Sequence, residues 1–117
     1  MANAFKLKTF DGSSTNANTD MTIYTGKAST ETTIIGMSIA NITTSQITVD
    51  VKIESNTSDT ETNSNVFLIK DAPIPVGGTL VPIGGDQKVV LLATDVLKVQ
   101  SDTANSADTT LSILEIT

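Results

Sequence analysis

The sequence predicts one all-β domain over residues 1–117, a compact antiparallel β-sandwich or jelly-roll-like fold of about eight or nine short strands. Three observations lead there. The apolar share is 38%, dominated by Ile, Val and Leu beside abundant Thr, with only 3% aromatic residues, and β-branched side chains suit a pleated surface better than a helix. Residues 46–54 place Ile47, Val49, Val51 and Ile53 on one face and Thr48, Asp50, Lys52 and Glu54 on the other, which is the period of a strand with one wet face. Gly, Pro and clusters of small polar residues punctuate the chain at short intervals, and no convincing helical period appears.

Taken in order, Phe5, Leu7 and Thr9 alternate with Lys6 and Lys8, predicting a short edge strand or docking arm within residues 1–10 whose lysines face water. Residues 11–20 are small and polar and form a loop. Met21, Ile23 and Thr25 alternate with Thr22 and Tyr24 until Gly26 interrupts, so Tyr24 is expected at a strand edge or an interface. Residues 32–42 read as a central strand in which Gly36, Ser38 and Ala40 permit close approach. The short linker Thr43-Thr44-Ser45 predicts that this strand forms an antiparallel hairpin with residues 46–54. Residues 55–65 hold almost no apolar surface and are expected to form an exposed, mobile loop.

A strand is expected to begin at Val66-Phe67-Leu68-Ile69 and to end at Asp71-Ala72-Pro73-Ile74-Pro75, where the two prolines remove backbone donors and impose an extended, edge-like path. Gly77-Gly78 and Gly84-Gly85 supply turns around residues 80–83, and residues 88–92 form another strand. Residues 96–101 and 111–116 alternate again, separated by a polar loop over 102–108.

Composition narrows function by what is missing. There is no Cys and no His, and all seven basic residues are Lys. A thiol nucleophile, a thiolate metal site and the usual general base near neutral pH are therefore unavailable, and we expect no enzymatic activity, cofactor or metal. A net charge of −6 without Arg disfavours nucleic acid. The N-terminal segment carries no apolar stretch of the kind that targets a chain for secretion, and no apolar run reaches the length of a membrane span.

Each polar constellation of a type that carries chemistry elsewhere has a plainer reading. The glycine pairs lack the helix start and Lys-Ser/Thr of a phosphate-binding loop and read as turns. Asp59, Glu61 and Asn63 alternate as calcium ligands do but lack the frame of a calcium loop. Asn41-Ile42-Thr43 and Asn56-Thr57-Ser58 match a glycosylation acceptor that has meaning only in a secreted chain. Asp86, Asp95 and Asp102 would be needed as paired carboxylates for acid–base work, and Asp86 and Asp95 more simply occupy turns. Asp86-Gln87-Lys88 is the most distinctive polar cluster, either a hairpin turn or a subunit contact. With Phe5, Leu7, Phe10, Tyr24, Pro73 and Pro75, these three residues make up the candidate subunit interface.

The segments Ala72-Pro73-Ile74-Pro75-Val76-Gly77-Gly78-Thr79-Leu80, Gly84-Gly85-Asp86-Gln87-Lys88-Val89-Val90-Leu91, Asp95-Val96-Leu97-Lys98-Val99 and Leu111-Ser112-Ile113-Leu114-Glu115-Ile116-Thr117 resemble small virion structural proteins of tailed bacteriophages, particularly marine and cyanobacterial ones. The likeness covers the C-terminal half and, more loosely, residues 24–53. It implies a β-sandwich subunit that decorates the capsid or belongs to the neck or tail. Its partners would then be further copies of itself, as a homotrimer or other symmetric oligomer, and the major capsid protein or neck and tail proteins. A carbohydrate- or host-surface-binding module is the alternative of another class, disfavoured by the scarcity of aromatic stacking platforms.

Overall fold

In a computed structural model, which describes residues 2–55 and 63–117, the alternation read in the sequence becomes an alternation of burial. The strands are β1 (Asn3–Phe10), β2 (Met21–Thr25), β3 (Glu31–Asn41), β4 (Ile47–Glu54), β5 (Val66–Ile74), β6 (Thr79–Ile83), β7 (Val89–Leu91), β8 (Val96–Ser101) and β9 (Ala107–Ile116). One sheet runs β1-β9-β3-β6, with β7 also pairing β3; the other runs β2-β8-β4-β5. Every pairing is antiparallel. If β6 and β7 are taken as one interrupted strand along β3, the two sheets have the strand order of a jelly roll.

The core lies between the sheets. Ile34, Ile39, Ile83, Leu91, Leu111 and Ile113 from the first sheet meet Ile47, Val49, Val51, Ile74, Leu97 and Val99 from the second, all fully buried. Each such side chain stabilises the fold by roughly 1.5–3 kcal/mol. Small aliphatic contacts thus replace the large aromatic anchors that the composition lacks.

Several expectations change. β3 and β4 do not form a hairpin: β3 pairs β9, β6 and β7, whereas β4 pairs β5 and β8. Both strands carry a largely apolar face, Ile34, Met37 and Ile39 on β3 and Ile47, Val49 and Val51 on β4, and crossing to the opposite sheet lets those faces meet across the core. The buried Asn41 side chain holds this corner. Its Nδ2 donates to the Ser45 and Ile74 carbonyls at 2.8 and 2.9 Å, and its Oδ1 accepts from the Thr43 N–H at 2.9 Å.

Bulges account for side chains that simple alternation misplaces. A register shift between Thr22 and Tyr24 turns both Ile23 and Tyr24 inward, so Tyr24 lies on an edge strand but its side chain is 4% exposed and takes no part in an external surface. A shift between Ile34 and Gly36 likewise lets Ile34 and Met37 share the buried face. β5 ends at Ile74, within the expected terminal segment 71–75. Asp71 takes a positive φ of 57°, and its N–H is held by Asp50 at 2.6 Å. Pro73 fits within this strand because β5 is at an edge.

The 11–20 segment contains a single 3-10 turn, Gly12–Ser14, and β9 begins at Ala107, inside the expected polar loop. The glycine pairs do sit in turns, closed by Gly78 N–H to the Pro75 carbonyl and Gln87 N–H to the Gly84 carbonyl. Gly26 is required by packing, since a Cβ there would lie 1.9 Å from the Leu92 carbonyl oxygen. Most of the loop expected over 55–65, with Asp59 and Glu61 of the calcium-like pattern, lies outside the described residues. Ser55 at its start is buried and donates to Asp95 at 2.7 Å.

Candidate assembly surface

The two outer faces of the sandwich differ in chemistry. In β9, Leu111, Ile113 and Glu115 point inward while Ser112, Leu114 and Ile116 point outward. Cross-strand partners share a face, and β1 pairs Phe5 with Leu114, Leu7 with Ser112, Lys6 with Ile113 and Lys8 with Leu111. Phe5 and Leu7 therefore lie on the outer face, 76% and 66% exposed, while Lys6 and Lys8 lie on the core side of the edge. This reverses the faces expected for β1. The lysines still reach solvent because β1 is at the rim.

One cross-strand row, Phe5–Leu114–Thr33–Val90, spans this sheet from edge to edge. Leu7 and Ile116 flank it, and Val81 and Val90 are also strongly exposed. An apolar stripe on the outside of a sheet marks a contact surface more often than isolated exposed residues do.

The outer face of the other sheet is a charged lattice. Lys52 contacts Asp20 at 2.8 Å and Glu54 at 3.2 Å, and Lys98 contacts Glu54 at 2.9 Å. The lysines hold the Glu54 carboxyl below its usual range, Lys98 contributing most. A shallow depression of about 140 Å³ here is lined by Asp20, Asp50, Lys52, Lys70, Lys98 and Gln100. Phe67 is exposed here too, with the Lys70 ammonium 4.8 Å above its ring. Because each acid faces a lysine, the arrangement offers a solvated surface, with no separated acid and base.

At the β1 side the sheets are joined by a polar knot that composition alone did not reveal. Glu115, 4% exposed, receives the Tyr24 hydroxyl at 2.7 Å, the Lys6 ammonium at 2.7 Å and the Lys27 ammonium at 3.1 Å. Lys6, then Tyr24, draw its carboxyl down to about 2. Tyr24 also meets Thr32 at 2.9 Å, and burial pushes its phenol above the ordinary value. Glu115 falls in phase with Leu111 and Ile113 on the buried face of β9, a placement that marks a charged residue needing partners.

The remaining candidates fall elsewhere. Phe10 is half-buried against the core. Pro73 and Pro75 are exposed on and just beyond β5, and Asp86, Gln87 and Lys88 are exposed in the turn between β6 and β7, where the Lys88 ammonium meets the Gly85 carbonyl. Phe5 and Leu7 thus sit at one edge of the first sheet and Asp86–Lys88 at the other. They form no single cluster. Asp95 and Asp102 stand at opposite ends of β8, so they are not a carboxylate pair. Asp95 caps its own turn by accepting the Leu92 N–H at 3.0 Å.

Among the described residues no group of three or more acidic side chains could hold a metal ion, and no helix is long and apolar enough to cross a membrane. Neither a protein-family model nor a curated protein sequence matches the chain.

Proposed function

We propose that this chain is a non-enzymatic structural subunit of a tailed bacteriophage particle, a capsid decoration protein that stabilises the head by symmetric protein–protein contacts. The observation that carries this reading is the two-faced sandwich. One outer face bears the Phe5–Leu114–Thr33–Val90 row, and the other bears paired lysines and carboxylates. A subunit seated on a shell needs one face to pack and one to remain hydrated, and many weak apolar contacts repeated by symmetry add up to firm attachment.

Two further points support it. The C-terminal segments resemble phage virion proteins, and jelly rolls recur in viral coat domains as well as in lectins. Fold alone never assigns function, so the composition matters: the chain has no His or Cys, and among the described residues Asp95 and Asp102 stand at opposite ends of β8 with Asp86 in a separate turn, which supports the non-enzymatic reading.

Quantitative mass spectrometry of purified virions tests the proposal. A copy number comparable to that of the major capsid protein is the expected result. A number matching a small ring would move the chain to the neck or tail, and absence from the particles would overturn the virion reading.

A further inference from the structure

Two sheets have four edges, and most are closed to further pairing. β5 carries Pro73 and the positive-φ bulge at Asp71, β6 carries Pro82, β7 has three residues, and β2 has five with a bulge. Prolines, bulges and short length block an exposed edge, as do lysines and inward-pointing charges. β1 has no proline, no bulge and full length; its guard is charge, Lys6 and Lys8 on its core side. Its eight residues pair β9 in unbroken register from Asn3 to Phe10, and among the described residues its other side is unpaired.

The hydrogen-bond phase identifies which groups are free. Just beyond this ladder, Ala2 and Thr117 exchange both backbone bonds, at 3.2 and 2.9 Å, so they form a hydrogen-bonded pair. Antiparallel pairs alternate; Ala4, Lys6 and Lys8 therefore bond to β9, while Asn3, Phe5, Leu7 and Thr9 turn their N–H and C=O groups to the open side.

Charge selects the occupant. Lys6 and Lys8 line the core side of this edge, and among the described residues the one carboxylate in contact with Lys6, that of Glu115, is shared with Lys27. A second copy pairing antiparallel about Lys6, Leu7 or Lys8 would in every case set lysine against lysine, which is destabilising. We propose that the free edge of β1 accepts an extended segment of another protein as an added strand. That segment alternates apolar residues, which lie beside Phe5 and Leu7 on the outer face, with acidic residues, which lie beside Lys6 and Lys8. The mode is strand addition, with backbone bonds supplying affinity and alternate side chains supplying specificity. It rests on the reading of the chain as an assembly subunit and names the chemistry of its partner.

The test uses the full chain, labelled with 15N, and two synthetic peptides, Thr-Val-Glu-Val-Glu-Val-Thr and its counterpart with Lys for Glu. The acidic peptide is expected to slow hydrogen exchange at the Phe5, Leu7 and Thr9 amides and to leave those of Lys6 and Lys8, already bonded to β9, unchanged. Leu7→Pro, which removes an open-side donor, should weaken binding about tenfold while the β9 amides keep their protection. Lys8→Glu should reverse the preference between the peptides. Equal binding of both peptides, undiminished binding by Leu7→Pro, or no slowing at the odd-numbered amides would overturn the proposal. So would slowing that depends on protein concentration without peptide, which would indicate a second copy. Virion copy number is a separate measurement, so failure of the phage reading and failure of strand addition can be told apart.

Discussion

At the scale of single residues, the most informative group is Glu115, a carboxylate on the buried face of β9 in line with Leu111 and Ile113. Its carboxyl titrates at about 2 instead of the ordinary 4.5 because Lys6, Tyr24 and Lys27 favour the ionised form. A depressed pKa means that the folded state holds the charged form more tightly than the unfolded chain does. The resulting stability is fully present above pH 4.5 and is lost as the pH falls from there towards 2. Glu115→Gln keeps the shape and removes the charge. It is expected to lower stability at neutral pH by about 2 kcal/mol, a value reduced by the half-exposed positions of Lys6 and Lys27. Urea unfolding of both proteins from pH 7 to pH 2 should show the two curves converging at the acid end. A constant gap across that range would mean that shape, and not ionisation, is what the knot requires.

At the scale of elements, the sequence was most legible where one period governs one strand. β4 shows its buried and wet faces residue by residue, with Ile47, Val49 and Val51 buried and Thr48, Asp50 and Lys52 half-exposed, and the glycine turns stand where their residue types demand. Legibility failed where a strand breaks its own period or where a face has to be chosen by partners distant in sequence. Bulges at Ile23 and Ile35 shift the phase by one residue. The inward direction of β1 is set by β9, about a hundred positions away, and the pattern of β1 alone is equally consistent with either face. Phe5 and Leu7 were legible as interface candidates, but the row that Phe5 completes with Leu114, Thr33 and Val90 was not, because its members come from four strands. The reversed faces make a sharp prediction. Phe5→Thr and Leu7→Thr should each change stability by no more than about 0.5 kcal/mol, whereas Ile113→Ala, directly opposite Lys6 but fully buried, should lower it by about 2–5 kcal/mol. Chemical denaturation of the three variants decides the matter; a large loss from Leu7→Thr would mean that the outer face is covered within the subunit itself.

For the whole molecule, what matters is that sequence neighbours seldom pair. Only β4 and β5 are both consecutive in the chain and adjacent in a sheet; β1 waits for β9, β2 for β8, and β3 for β6, β7 and β9. Such topologies place loop closure ahead of the contacts that reward it. β9 has a singular position, since it lies between β1 and β3 and supplies Leu111 and Ile113 to the core. Loss of residues 107–117 would leave β1 without a neighbour, strip β3 of its longest pairing and expose the opposing aliphatic face. Loss of residues 2–10 removes an edge strand whose side chains are mostly exposed, and the β9–β3 pairing and the sheet-to-sheet core survive. The shorter N-terminal deletion should therefore still unfold in a single cooperative transition, at lower denaturant because the Lys6 contact to Glu115 is gone. The C-terminal deletion should show no cooperative transition at all. Were the two truncations to behave alike, either β1 would be integral to the core or β9 would be dispensable. In the first case the edge would not be free to receive a partner strand.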